Sequence, residues 1–393
     1  MANLALSRLA RLAGLISVGL LMYPPGATAL QFRLLHSFGL PIQARDDGSD
    51  GKIPGGYQPI GTMAIDRTGN LFGTALRGGA HNFGTVFRVS PAGKVTVLHN
   101  FAGGTDGSFP AGGLTIDDQG FLYGTTQAGG GGNLGTVFRL APDGTEVVLH
   151  AFAGGSDGAD PGDRPVLHAS GNLYGTTPNG GCDDGNCGVA FKIDTAGQET
   201  ILHTFAGVDG KRPSSPLTIG PDGSFYGTTF TGGANDDGTV FRLTPDGTES
   251  VLHSFDEVDG EEPMNAVIFD SSGNLYGTTS SKNGVGTGAV FKLRNKSLKV
   301  LHDFSTVPSE VVMDDAGNFL GTTYGDGNLR SCMGCGTIFR LNPSGDEEVL
   351  YSFGGADGSH PTSGLTPDGN GNYFGVTGQG GKFGLGTVYE ITP

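Results

Sequence analysis

Two recurring residue types carry the chemistry this chain could perform. Histidines stand in a Leu-His-x-Phe string at His36, His99, His150, His203, His253 and His302. Aspartates stand in Asp-Gly-x-x-Pro at Asp50, Asp106, Asp157, Asp209, Asp259 and Asp357. Imidazoles and carboxylates are the common donors to metal ions. A catalytic centre is singular, however, so a residue recurring in every repeat reads first as architecture. The histidines are expected to be half-buried and bonded to a backbone group or a hydroxyl. The aspartates are expected to cap their own turns. The alternative is that the six carboxylates ring one mouth of the molecule and concentrate Ca²⁺.

Other candidates are fewer. Arg88, Arg139, Lys192, Arg242, Lys292 and Arg340, with Glu390 as their counterpart in the last repeat, are expected to pair with neighbouring acids or to lie along the surface. Cys182 with Cys187 and Cys332 with Cys335 form two local pairs, and an even count in an exported chain predicts two loop disulfides. His168, near Asp160 and Asp163, breaks the pattern and could act as a base, but a solvated turn histidine is the reading preferred. Asp183-Asp184, Asp236-Asp237 and the long loop from Gly39 to Ile60 are the other irregular places. The chain holds no nucleophile elbow, P-loop or His-Glu-x-x-His string.

These residues must be held by a repeated element. Tyr-Gly-Thr-Thr or a variant starts at Phe72, Tyr123, Tyr174, Tyr226, Tyr276, Leu320 and Phe374. Gly-Thr-Val-Phe or a variant starts at Gly84, Gly135, Gly188, Gly238, Gly288, Gly336 and Gly386. With Leu-His-x-Phe these strings recur in fixed order at a period near 50 residues. One copy predicts four strands: Gly113–Asp117, Phe121–Thr126, Thr136–Leu140 and Glu146–Phe152, with Asp143-Gly144 as a hairpin turn. Four short antiparallel strands per repeat describe the blade of a β-propeller. The chain opens with a lone outer strand, Phe32 to Phe38, and ends after a third strand, Thr387 to Ile391. The N-terminal strand is therefore expected to complete the seventh blade and close an all-β, seven-bladed ring over residues 30–393.

The recurring Tyr-Gly-Thr-Thr, the double glycines such as Gly129-Gly130, and Gly-Thr-Val-Phe resemble the GloVer tandem-repeat family of secreted bacterial proteins. The resemblance spans residues 31–392. It implies a propeller and an exported location and brings no catalytic residues. Kelch repeats share the period and the double glycines but usually carry a tryptophan, and this chain has none.

Residues 1–29 read as a secretory signal, with Arg8 and Arg11 ahead of the apolar stretch from Leu12 to Met22 and a small-residue cleavage site at Ala27-Thr28-Ala29. That stretch is short of the roughly 20 residues of a spanning helix. Without Arg8 and Arg11 the chain carries 21 basic and 39 acidic residues, a net charge of −18. Such a surface repels nucleic acid and anionic lipid. The expectation is a secreted or periplasmic monomer without a cofactor, binding a glycan, protein or cell-envelope component through its glycine-rich face. The alternative is a propeller hydrolase or lyase with its site at the central mouth.

Overall fold

The computed structural model describes residues 30–39 and 55–393, apart from Asp184, Asn283, Val285, Arg330 and Ser331. The segment read as a signal lies outside them, as do Arg45, Asp46, Asp47 and Asp50. Seven antiparallel sheets of four or five strands form the blades. Blades 1 to 6 span residues 57–100, 115–151, 166–204, 211–254, 268–303 and 312–352, and blade 7 spans 359–392 with Gln31–Ser37 added. In blade 2 the strands, inner to outer, are a (Thr115–Ile116), b (Leu122–Thr126), c (Thr136–Leu140) and d (Glu146–Ala151). Among the described residues there is no α-helix and no helix long and apolar enough to cross a membrane.

The ring closes as the chain ends suggest. Gln31–Ser37 pairs antiparallel with Thr387–Thr392 as the outer strand of blade 7. The side chain of Phe38 then meets Phe87 of blade 1 edge-on, with ring centroids 5.0 Å apart. Corresponding contacts join the other blades, edge-on in Phe101–Phe138 at 5.3 Å and Phe255–Phe291 at 5.2 Å, tilted in Phe304–Phe339, and made on a tyrosine in Phe353–Tyr389. These rings are almost wholly buried. Aromatic contacts therefore carry each Leu-His-x-Phe phenylalanine onto the matching ring of the next blade.

The strings depend on one another. A methyl group on Gly124 of Tyr-Gly-Thr-Thr would fall 2.5 Å from the Phe138 ring, and one on Gly227 would fall 2.7 Å from Phe241. The glycine leaves room for the ring of the adjacent strand. The first threonine reaches the next blade: Thr125 donates to the Asp163 carbonyl at 2.9 Å, and Thr74 to that of Gly112 at 2.9 Å. The second binds strand b to strand c, as Thr126 with Thr136 at 2.8 Å. Gly135, at φ 98°, faces Pro161 of the next junction, where a methyl would stand 2.6 Å from the proline ring.

In blade 2 strand a is shorter than the five residues expected, only Thr115–Ile116, whereas in blade 1 it runs from Tyr57 to Ile65. The inner segments converge on the axis, where a methyl on Gly113 would fall 2.2 Å from the Thr62 carbonyl oxygen. That crowding uses the backbone for contacts between blades and not for a longer ladder.

Candidate functional site

The repeated aspartates sit between blades at the outer side of the junctions, away from the axis. Asp106 accepts from His99 Nε2 at 3.0 Å and from the Ala102 amide. Asp157, Asp209 and Asp259 do the same with His150, His203 and His253 at 3.1, 2.8 and 2.7 Å. Asp357 accepts from Tyr351, which replaces the histidine, and from the Gly354 amide at 2.8 Å. Four strand-d histidines thus find their partner in the following aspartate and not in a backbone group or hydroxyl, while His302 makes the expected backbone bond, from Nδ1 to the Gly345 carbonyl at 3.1 Å. None of these five carboxylates lines the axial cavity. Asp50 lies outside the described residues. The proline contact that marks this junction, made by Pro161 on Gly135, is made on Gly386 by Pro59, which puts Gly55 at the aspartate position of blade 1. His36 accordingly has burial as the cause of its lowered pKa.

The cysteines form two loop disulfides, Cys182–Cys187 and Cys332–Cys335, each with Cα atoms 5.7 Å apart. The strand-c cations lie along the blades: Arg242 pairs with Asp222 at 2.7 Å, and Arg139 stands 5.0 Å over the Phe121 ring. His168 bonds Ser170 at 2.9 Å within its own turn. Asp236 accepts from the Gly232 amide at 2.9 Å inside its loop.

A cavity of about 650 Å³ lies on the axis, reached from the face that carries the glycine-rich loops. Its walls are the inner junctions and the residues that follow the Gly-Thr-Thr of strand b. Glu310 of blade 6 spans it. Its Oε1 accepts from Arg164 Nη2 of blade 3 at 3.3 Å, and its Oε2 from Thr62 of blade 1 at 3.0 Å. Gly364 leaves space for it, since a methyl there would meet Glu310 Cβ at 2.8 Å. Asp163, beside Arg164, keeps part of its surface on the channel although protein encloses it closely. That desolvation raises its carboxyl to about 7; Arg164 opposes the shift and Glu310 adds to it.

The junctions between blades run through strained backbone, and two of the strained residues, Asp160 and Arg212, line the cavity. Gln58, Phe109, Asp160, Arg212, Glu262 and His360, each directly before a proline, hold φ between 54° and 59°. A non-glycine residue there costs on the order of 1 to 3 kcal/mol. The surrounding glycine–proline contacts impose that conformation. Asp160 accepts from Asn179 at 2.8 Å, Arg212 lies 5.3 Å over Phe230, and Tyr324 meets His360 with centroids 4.8 Å apart.

Sequence reasoning did not single out Glu310, Arg164, Arg212, Phe230 or Tyr324. The available signal was the departure of the sixth junction, Ser305 to Ser309, from Asp-Gly-x-x-Pro, since Glu310 follows it directly.

No curated protein matches the chain in sequence. Among solved structures, one described as the extracellular domain of a hybrid two-component system from B. thetaiotaomicron is 11% identical, with a TM-score of 0.57. The match covers 91% of this chain and 39% of that one, and it shows the propeller fold. An aldose sugar dehydrogenase from Streptomyces coelicolor is 14% identical over 94% of this chain and 99% of its own, at a TM-score of 0.49. A gluconolactonase from Xanthomonas campestris is 14% identical over 86% of each chain, at 0.44. The Gloeobacter/Verrucomicrobia repeat model matches residues 48–219 and 215–393, together nearly the whole ring, and the chain belongs to that repeat family.

Proposed function

We propose that the protein is a non-catalytic binding module of the cell exterior or periplasm that takes a carbohydrate into its axial mouth. The observation that carries this reading is a contrast within the chain itself. The seven copies keep their frame, Tyr-Gly-Thr-Thr and Gly-Thr-Val-Phe, almost unchanged. The positions around the mouth differ from copy to copy: Asp160, Arg212 and Val307 before the junction prolines, and Gln127, Phe230 and Tyr324 after the Gly-Thr-Thr of strand b. A uniform frame with a varied rim suits recognition of one asymmetric ligand, because function lives in sites and not in folds.

The chemistry of the rim suits a polyol. The Gln127 amide, the Arg212 guanidinium and the Asp160 carboxylate offer donors and acceptors to hydroxyls. Tyr324, 46% exposed, offers an aromatic face to the apolar side of a sugar ring. The volume lies within the usual range of about 300 to 1,000 Å³ for small-molecule sites. The two disulfides support an oxidising compartment.

One observation favours the second reading, a hydrolase or lyase at the same place. Asp163, with its carboxyl at about 7 beside Arg164 and Glu310, has the poise of a general acid or base. A glycan array probed with the purified protein separates the two readings. Retention of one glycan class, weakened by Arg212→Ala and Tyr324→Ala without product release, supports binding. Product formation abolished by Asp163→Asn supports the enzyme.

A further inference from the structure

A different place in the molecule combines metal-binding residue types. The first residue of strand d stands at one register in several blades: Glu146 opposite Leu140, Glu199 opposite Ile193, Glu249 opposite Leu243 and Glu347 opposite Leu341. Blade 5 has Leu298 there, opposite Leu293, and blade 7 has Phe32, opposite Ile391. The side chain at this register reaches the strand-d histidine position of the preceding blade. Phe32 stacks on Tyr351 at 4.1 Å, and Glu347 Oε2 stands 3.5 Å from His302 Nε2.

At two consecutive interfaces this register brings together three donors. His150, Asp157 and Glu199 offer ligand atoms within 4.8 Å of one another, and so do His203, Asp209 and Glu249. Oε1 of both glutamates is buried, and no donor among the described residues reaches it. A buried oxygen without a partner costs free energy that a cation would recover.

We propose that these two blade interfaces each bind a first-row divalent cation of the Zn²⁺ or Mn²⁺ type. The ligands are histidine Nε2 and one aspartate oxygen from one blade and one glutamate oxygen from the next. An imidazole with two carboxylates suits these ions better than Ca²⁺, which takes six to eight oxygens. Water completes the coordination. The ion takes the place of the hydrogen that histidine Nε2 directs at the aspartate, and the neutral imidazole then carries its one proton on Nδ1. Burial, and then the facing aspartate, raise Glu199 and Glu249 to about 7, and a cation would relieve that repulsion.

The test is metal uptake by chelator-treated protein, read by calorimetry and elemental analysis with Zn²⁺ and Mn²⁺ as separate probes. Glu199→Gln and Glu249→Gln should each remove one equivalent, and the double variant two, with a fold in chelator like that of the parent. The rise in thermal midpoint with metal should shrink in step. A gain-of-site variant guards against simple misfolding. His253 and Asp259 already stand 2.7 Å apart, and Leu298 holds the register position of the glutamate in the next blade, so Leu298→Glu should add one equivalent. No uptake by the parent, or equal uptake by parent and double variant, overturns the proposal.

Discussion

Glu310 Oε1 accepts a hydrogen bond from Arg164 Nη2 at 3.3 Å, which joins blade 6 to blade 3 across the propeller axis. The same carboxylate accepts from Thr62 of blade 1, so one side chain ties three blades at the bottom of the mouth. Glu310→Ala should leave Arg164 and Thr62 without that partner and cost about 1 to 3 kcal/mol of stability. It should also lower the Asp163 carboxyl from about 7, because Arg164 is freed and the repulsion from Glu310 is gone. Chemical denaturation and an NMR titration of Asp163 read the two effects. An Asp163 titration that stays in place contradicts the electrostatic account of the site.

The dependence of one motif on another can be measured in blade 2. Gly124→Ala places a methyl against the Phe138 ring and should destabilise by about 1 to 3 kcal/mol through overpacking. Phe138→Leu opens the same space at its own cost. A double-mutant cycle should show the pair less destabilised than the sum of the single changes. Additive costs would mean that the glycine is required for some other reason.

Asp259 isolates the turn role of the repeated aspartates, because Leu298 stands where other interfaces have a glutamate. It accepts from the Asp256 amide at 3.0 Å and from His253 at 2.7 Å. Asp259→Asn should cost about 1 to 2 kcal/mol by weakening these charge-assisted bonds. The loss should be equal in calcium and in chelator. A calcium-dependent loss would instead support the reading of these residues as calcium ligands.

Glu146, Glu199 and Glu249 give the metal-free protein a pH dependence of defined sign. Burial, with Asp106, Asp157 and Asp209 respectively adding repulsion, raises each carboxyl from 4.5 to about 7. Between those values the folded state binds more protons than the unfolded state, so stability falls as pH rises and levels off above about 7. Denaturation midpoints of chelated protein from pH 5 to pH 8 should show this decline. It should become shallower when all three residues are changed to glutamine, the part that remains coming from Asp163, whose carboxyl also stands at about 7.

Much of the architecture was legible because repetition multiplies weak signals. The unmatched strands at the two ends predicted ring closure, and Gln31–Ser37 pairs with Thr387–Thr392. The site was less legible, for geometric reasons. Arg164 and Glu310 are 146 residues apart and meet only because the ring brings blade 3 and blade 6 to one axis. The histidine–aspartate pairs did leave a signal: His99 precedes Asp106 by seven residues and His203 precedes Asp209 by six. The partnership lies in that spacing between the two strings, and neither string shows it alone. In blade 1, Asp50 matched the aspartate string in letters, while Pro59 makes the junction contact on Gly386.

The most direct test of the binding account is a glycan array probed with the purified protein beside its Arg212→Ala/Tyr324→Ala double variant, followed by calorimetry on the retained oligosaccharide. The account predicts retention of one glycan class by the parent, at least tenfold weaker binding by the variant, and an unaltered oligosaccharide recovered after prolonged incubation. Equal retention by both proteins, or cleavage of the oligosaccharide that is lost in Asp163→Asn, would contradict it.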